Sequence, residues 1–166
     1  MDFEIRAGRD DDAWDLVGLV AGCWSEYPGC VLDVHGEEPD LLAIASAYDA
    51  KGGRFWVVER DGRLIASIGI APAPEQGSVL LQKLYVARPV RRLGLGKRLV
   101  GLVESQAAEL GAARVELWTD TRFEPAHRLY ERLGYSRNGS TRELHDLSGT
   151  VEYHYLKQLV DVEGTR

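Results

Sequence analysis

The strongest chemical signal in the chain is a basic segment of residues 83–98, which reads KLYVARPVRRLGLGKR. This segment holds six basic residues and no acidic one, although the whole chain has 20 Lys and Arg against 26 Asp and Glu, a net charge of −6. Within it, Arg91-x-x-Gly94-x-Gly96 leads from a predicted strand into the first turn of a predicted helix. Glycines at such a turn let consecutive backbone N–H groups face one anion, and the helix dipole favours negative charge there. The pattern therefore predicts a turn that binds a pyrophosphate.

Other interpretations of this turn can be compared with the residues present. A P-loop needs Gly at position 91 and Ser or Thr at position 98, and Arg stands at both. A dinucleotide fingerprint needs a third glycine at position 99, where the chain has Leu99. An ordinary strand-to-helix turn with a solvated basic face stays open as an alternative, because Gly-x-Gly alone does not exclude it.

The elements that must position this turn follow the order β-α-α-β-β-β-α-β-α-β-β. Strands are predicted at residues 3–6, 55–60, 64–71, 78–87, 115–119, 135–144 and 150–157. Helices are predicted up to residue 24 and at residues 39–50, 94–110 and 124–133. This order predicts an α/β domain of the α+β type, in which helices flank a mixed, mostly antiparallel central sheet with one strand–helix–strand crossover.

Length and composition narrow the class of protein. At 166 residues and 45% hydrophobic content, the chain is predicted to form a single domain over residues 1–166. Its acidic balance argues against a nucleic-acid partner, and its apolar runs are too short for a membrane partner. The start has no apolar stretch of a secretory signal. Cys23 and Cys30 have no metal-ligand spacing, so we expect no metal and a cytoplasmic protein.

Two motifs together resemble a known family. The segment from Leu84-Tyr85-Val86 through Arg91-x-x-Gly94-x-Gly96 into an amphipathic helix resembles the acetyl-CoA signature of the GNAT N-acetyltransferase superfamily. Downstream, Leu129-Tyr130-x-x-x-Gly134-Tyr135 resembles the late helix of that family. The element order is also similar, so the resemblance covers nearly the whole chain and is strongest over residues 82–135.

The resemblance implies a role for each matched residue. Acetyl-CoA would be the co-substrate, with its pantetheine arm alongside the strand of Leu84, Tyr85 and Val86. Its pyrophosphate would be held at the turn formed by Arg91, Arg92, Leu93, Gly94, Leu95, Gly96 and Lys97. Tyr130 matches the tyrosine whose hydroxyl lies near the thioester sulfur, where it could protonate the leaving thiolate. Two positions depart from the family: Arg92 stands where many members have Gly, and Phe123 where many have a cofactor-binding Asn.

The implied activity is direct transfer of an acetyl group, in a ternary complex, to a primary amine of a small molecule or peptide. The general base is not identified by the sequence. Several members of the family carry a Glu in the central strand, but residues 79–81 are apolar here and Gln82 cannot take a proton. The bases left open are Glu116, Asp120, His127, Glu143 and His145, or water. A non-catalytic acyl-CoA-binding regulatory module, and an enzyme for a longer acyl-CoA, stay open as alternatives.

The family fold also implies where the acceptor binds, between the first two helices with their loop and the loop of the last two strands. Residues 26–40 carry five acidic residues and no Lys or Arg, which predicts either a solvated loop or a negative mouth that attracts a cationic amine. This mouth would lie across the transfer point from the basic turn. The predicted acceptor-binding residues are Trp24, Tyr27, Glu37, Glu38 and His145. A homodimer is compatible with the resemblance.

Overall fold

The fold is a 7-stranded sheet with strand order β1-β2-β3-β4-β5-β7-β6 and helices on both faces. A computed structural model describes residues 3–159; the single-domain prediction for residues 1–166 also includes residues 1–2 and 160–166, which lie outside the described residues. The strands are β1 (Glu4–Ala7), β2 (Arg54–Arg60), β3 (Arg63–Pro72), β4 (Ser78–Val86), β5 (Arg114–Asp120), β6 (Ser136–Glu143) and β7 (Val151–Gln158). The helices are α1 (Ala13–Trp24), α2 (Ile44–Lys51), α3 (Leu95–Glu109) and α4 (Glu124–Arg132).

The predicted fold class, element order and mostly antiparallel sheet are confirmed. The crossover is β4-α3-β5, and β4 and β5 are the one parallel pair among the described strands. The predicted second helix is wrong in its first third. Residues Pro39–Leu42 form a separate 3₁₀ turn, because Ala43 takes φ −151° and ψ 60°, which breaks the helical path before α2 begins.

Two apolar clusters lie on opposite faces of the sheet. One joins α3 and α4 to the sheet and includes Leu99, Val115 and Leu117. The other joins α1 and α2 to β2 and β3 and includes Leu16 and Ile44. Within residues 3–159, this second cluster contains no residue of β5, β6 or β7. The face of the sheet covered by α1 and α2 is therefore left open over the half formed by β5, β7 and β6.

The parallel strands β4 and β5 pair over a short distance and then separate. Their register joins Ser78–Leu80 to Arg114–Glu116, yet β4 continues to Val86 and β5 to Asp120. Shortly after the pairing of β4 with β5 ends, the register between β3 and β4 shifts, and Lys83 has a positive φ of 52°. Such an irregularity bends a strand and increases its twist. Ser67 supports it by donating its hydroxyl to the Lys83 carbonyl at 2.8 Å. The result is a gap between two neighbouring strands of one sheet.

Within residues 3–159, no helix combines the length and the apolar character needed to cross a membrane.

Replacing Gly69 with alanine should destabilise the protein at the shifted register. Gly69 pairs with Gln82, and a methyl carbon there would lie 2.7 Å from Tyr48 Cε1 and 2.9 Å from Phe55 Cδ2. Both neighbours are rigid aromatic rings, so we expect a loss of about 1–3 kcal/mol in the free energy of unfolding, measured in urea. Because Tyr48 donates its hydroxyl to Gln82 at 2.8 Å, the strain would reach β4 directly.

The matched control is Gly101→Ala in α3, where a methyl carbon meets nothing within 4 Å. This change should stabilise the protein by up to about 1 kcal/mol, because alanine is the better helix former. An unfolding midpoint of Gly69→Ala equal to that of the wild type would contradict the predicted strain.

Candidate functional site

The basic turn has the backbone geometry that an anion site needs. Arg92 and Gly94 both have positive φ values, of 65° and 79°, on either side of Leu93. Among the described residues, the N–H groups of residues 92–97 donate to no acceptor, and the first helical bond runs from Arg98 N to Gly94 O at 3.1 Å. A Cβ at Gly94 would meet nothing within 4 Å. A row of free N–H groups therefore faces open space at the positive end of α3.

The conformation of Arg92 explains why glycine is common at this position in the family that the sequence resembles. A side chain in the left-handed region costs roughly 1 kcal/mol or more, which glycine avoids. The chain therefore adopts the same backbone path with a strained arginine.

The Arg91 side chain is directed to α1 rather than to the open face of the turn. Its two terminal nitrogens donate to the Glu26 carboxylate at 2.7 and 2.6 Å, and its Nε donates to the Val86 carbonyl at 2.9 Å. These hydrogen bonds hold the pKa of Glu26 below its usual range. The expectation that the acidic loop and the basic turn lie on opposite sides of the site is therefore wrong for Glu26, which contacts the turn.

The edge of β4 that faces the gap offers free backbone groups. Ala87 donates its N–H to Ile65 of β3 at 2.8 Å, so the alternation of a strand turns the N–H and carbonyl of Val86 away from β3. The carbonyl of Val86 already accepts Arg91 Nε at 2.9 Å, which leaves its N–H facing the gap. In the preceding residue, the Tyr85 hydroxyl accepts a hydrogen bond from Trp24 Nε1 at 3.0 Å.

A cleft of about 330 Å³ occupies the gap between β4 and β5. β4 contributes residues 80–85, β5 contributes residues 118–120, and α4 contributes Tyr130. The α1–α2 side contributes Trp24, Cys30 and Glu38, and the β6–β7 side contributes Arg142, Leu144, Asp146, Ser148, Thr150 and Glu152. The cleft thus joins the edge of β4 to the open half of the sheet.

Tyr130 lies in the wall of this cleft with its hydroxyl available. The residue is 5% exposed, and its ring packs against Tyr135 and Tyr155 with centroids 5.9 and 6.0 Å apart. Its hydroxyl has no hydrogen-bond partner within residues 3–159. Burial raises the pKa of Tyr130, so the hydroxyl stays protonated at neutral pH and can donate.

Two of the five predicted acceptor residues, Trp24 and Glu38, line the cleft. Tyr27 packs on Phe123 instead, with ring centroids 4.7 Å apart. Glu37 accepts the N–H of Leu147 at 3.0 Å, and His145 lies in the β6–β7 loop with φ 52°. The structure therefore does not bring Tyr27, Glu37 and His145 into the cleft.

The loop of residues 26–40 does not carry the free negative charge that its sequence predicts. Basic residues from outside the loop pair with three of its carboxylates: Arg91 with Glu26, Lys83 with Glu38 at 2.9 Å, and Lys51 with Asp40 at 2.6 Å. The Asp33 carboxylate accepts the N–H of Gly36 within its own turn. The predicted negative mouth is therefore largely neutralised.

This loop is joined to the β6–β7 loop at one end of the cleft. The N–H of Val31 donates to Ser148 Oγ at 2.8 Å, and Ser148 Oγ donates back to the Val31 carbonyl at 3.1 Å. Arg122 adds a bond of 3.2 Å to the Ser148 carbonyl. The bond between Glu37 and Leu147 belongs to the same junction. Glu37 therefore helps to hold the two loops together.

The base candidates left open by the sequence are mostly bound elsewhere. Glu116 accepts the Ser78 hydroxyl at 2.6 Å outside the cleft, and His127 contacts the Asp120 carbonyl at 2.9 Å. Burial lowers the pKa of His127. Asp120 lines the cleft, but Arg122 binds both of its oxygens, at 2.9 and 2.7 Å. Glu143 and His145 do not line the cleft.

The predicted site residues do not include a group of residues on the open half of the sheet. Arg142 donates its Nε to Glu152 at 2.7 Å, and its guanidinium lies over the Trp118 ring at 4.3 Å. All three line the cleft. The alternation of Val151-Glu152-Tyr153-His154 was a signal for a charged face on β7. Within residues 3–159 no group of three or more His, Cys, Asp or Glu side chains could hold a metal ion.

A second groove, of about 780 Å³, lies outside the gap. It runs between α1, the β2–β3 turn and residues 87–89, and the indole of Trp14 at its edge is 68% exposed.

The match to a family model and the similarity to individual proteins agree with this architecture. The model of the acetyltransferase (GNAT) family matches residues 18–135. The uncharacterized N-acetyltransferase YjgM of Escherichia coli K12 is 36% identical over 100 residues, which cover 59% of this chain and 60% of YjgM. The chain spans 60% or less of the length of the curated relatives that it matches.

Solved structures share the fold at low identity. A GNAT-family acetyltransferase from Staphylococcus aureus Mu50 has a TM-score of 0.79 and 20% identity, covering 96% of this chain and 100% of that chain. YncA from Salmonella typhimurium, determined with its cofactor acetyl-CoA, has a TM-score of 0.73 and 16% identity, covering 100% of this chain and 99% of its own. Because the family model matches most of the sequence, the chain belongs to the acetyltransferase (GNAT) family.

Proposed function

We propose that this protein is an acetyl-CoA-dependent N-acetyltransferase that transfers an acetyl group, in a ternary complex, to a primary amine of a small molecule or peptide. The observation that carries the proposal is the path from the basic turn along the free edge of β4 to the cleft, which Tyr130 lines. Membership of the family supports it, as does the acetyl-CoA bound in YncA.

The residues present fit acetyl-CoA along this path. The free N–H groups of residues 92–97 suit the two phosphates, and the edge of β4 at Leu84 and Val86, where β5 no longer pairs with it, suits the amides of the pantetheine arm. Acetyl-CoA supplies the thioester, whose carbonyl carbon accepts the amine. Arg91 acts by holding α1 against the turn through Glu26, because its guanidinium is already bonded there.

Tyr130 supplies the proton for the departing sulfur in this proposal. Its hydroxyl has no competing partner among the described residues, and its raised pKa keeps it protonated, so it can donate to the sulfur as negative charge develops there. Burial next to Tyr135 and Tyr155 fixes the ring, so its orientation is set before the substrates bind.

We also propose a cytoplasmic location, since Cys23 and Cys30 are both free thiols.

Replacing Gly94 with valine should weaken acetyl-CoA binding. The branched side chain would occupy the open space in front of the N–H groups, where each charge-assisted hydrogen bond is worth about 1.5–3 kcal/mol. We expect the dissociation constant, measured by isothermal titration calorimetry, to rise by about tenfold or more.

The matched control is Gly111→Val. Gly111 has φ 74°, close to the 79° of Gly94, and a Cβ there also meets nothing within 4 Å, so the backbone strain is similar but lies at the far end of α3. Equal acetyl-CoA affinity for both variants would show that the turn does not bind the cofactor.

Replacing Tyr130 with phenylalanine should lower kcat by about 100-fold or more, with the KM for acetyl-CoA little changed. The ring and its packing remain, and only the proton is removed. Tyr153→Phe serves as the control, since Tyr153 lies on β7 outside the cleft. Full kcat in Tyr130→Phe would make this tyrosine structural. A wild-type protein that binds acetyl-CoA but acetylates no amine would instead support the acyl-CoA-binding module.

A further inference from the structure

Glu152 reaches the cleft from the half of the sheet that α1 and α2 leave open. It lies on β7, in register with Asp120 of β5 on one side and Arg142 of β6 on the other. Its side chain is 13% exposed and lines the cleft, and its Oε1 accepts Arg142 Nε at 2.7 Å. Its Oε2 has no donor within residues 3–159. One oxygen of a largely buried carboxylate is thus left for a ligand.

The groups around Glu152 give this end of the cleft an excess of negative charge. Asp120 faces it from β5 and Asp146 from the β6–β7 loop, while Arg142 is the one cation in direct contact with it among the described residues. Arg122 binds Asp120, so three carboxylates here stand against two guanidinium groups. His154, two residues along β7, points to Glu116, with 3.5 Å between its Nε2 and a carboxylate oxygen. Burial raises the pKa of Glu152. The negative charges of Asp120 and Asp146 also raise it, whereas Arg142 lowers it.

Arg142 does not fully neutralise Glu152, because its guanidinium is shared with an aromatic ring. The guanidinium lies 4.3 Å from the centre of the Trp118 ring and its side chain is 46% exposed, so it meets only one carboxylate oxygen. The Trp118 ring is itself covered, by Arg142 and by the stacked ring of His154 at 4.3 Å between centroids, so the aromatic surface left for the apolar body of an acceptor is that of Trp24, which also lines the cleft.

We propose that Glu152 binds the ammonium group of the acceptor through Oε2 and removes its first proton, so that the acceptors are primary amines that arrive as cations. This inference rests on the proposed function, because it concerns the acceptor side of the same cleft. The attraction of a cationic amine, which the sequence predicted for the acidic loop of residues 26–40, is thereby assigned to Glu152 on β7.

The protons and bonds of the step balance. The ammonium gives one proton to Glu152, which becomes a neutral carboxylic acid, and a free amine results. The amine nitrogen forms a C–N bond with the thioester carbonyl carbon, the C–S bond breaks, and the electron pair leaves on sulfur. The sulfur takes the Tyr130 proton, the second amine proton restores the Tyr130 hydroxyl through water, and Glu152 releases its proton to solvent. The products are an amide, a thiol and one proton.

The test compares wild type with Glu152→Gln on two amines of similar shape but different charge at pH 7. At pH 7 ethylamine is a cation, whereas 2,2,2-trifluoroethylamine is largely neutral and has no first proton for Glu152 to remove. A third acceptor, 1,4-diaminobutane, is a dication at this pH. We expect kcat/KM for the two cationic amines to fall on the order of 100-fold and to recover as the pH rises toward deprotonation of the amine. The loss for trifluoroethylamine should be much smaller, and Glu152→Asp should retain part of the activity.

Two measurements separate this inference from the proposed function. Acetyl-CoA affinity should be unchanged in Glu152→Gln, and thermal unfolding checks that the variant folds. Glu109→Gln removes the same charge at the exposed end of α3 and should leave every rate unchanged. Equal losses for ethylamine and trifluoroethylamine, no loss at all, or a wild type that binds acetyl-CoA but acetylates none of the three amines would overturn the role of Glu152. Failure of the wild type to bind acetyl-CoA would overturn the proposed function itself.

Discussion

The site depends on the separation of two parallel strands that begin side by side. β4 and β5 pair only as far as Leu80 and Glu116, the last of three residue pairs. The register shift at Lys83 then turns β4 away from its neighbour. A continuous sheet would use the backbone groups of both strands in its own hydrogen bonds. Because the strands separate, the far half of β4 has no neighbouring strand on that side, and a cleft opens between β4 and β5.

The basic turn and the cleft differ in how their charges are arranged. At the basic turn, the backbone carries the positive potential, and the Arg91 side chain is bonded to Glu26. In the cleft, Asp120 is held by Arg122, and Glu152 shares Arg142 with Trp118. An anionic group is favoured at the turn and a cationic group in the cleft. This asymmetry suits a reaction between a phosphorylated acyl donor and an amine.

The sequence predicts the fold and the turn well because their signals are local. Asp61-Gly62 between two apolar runs predicts the β2–β3 hairpin, and Arg91 to Gly96 lie within six consecutive residues. The charge pairing is not local. Glu26 and Arg91 are 65 residues apart, and Glu38 and Lys83 are 45 apart, so the acidic loop looks unpaired in the sequence. Glu152 lies between Asp120 and Arg142 because the last strand, β7, inserts between β5 and β6. No local sequence pattern predicts this strand order.

The most direct measurement of the central claim is a crystal structure of this protein with acetyl-CoA bound. We expect the phosphates to accept hydrogen bonds from N–H groups of residues 92–97, and the acetyl group to lie between β4 and β5 within reach of the Tyr130 hydroxyl. Acetyl-CoA bound instead in the groove between α1 and the β2–β3 turn, with the gap between β4 and β5 empty, would contradict it.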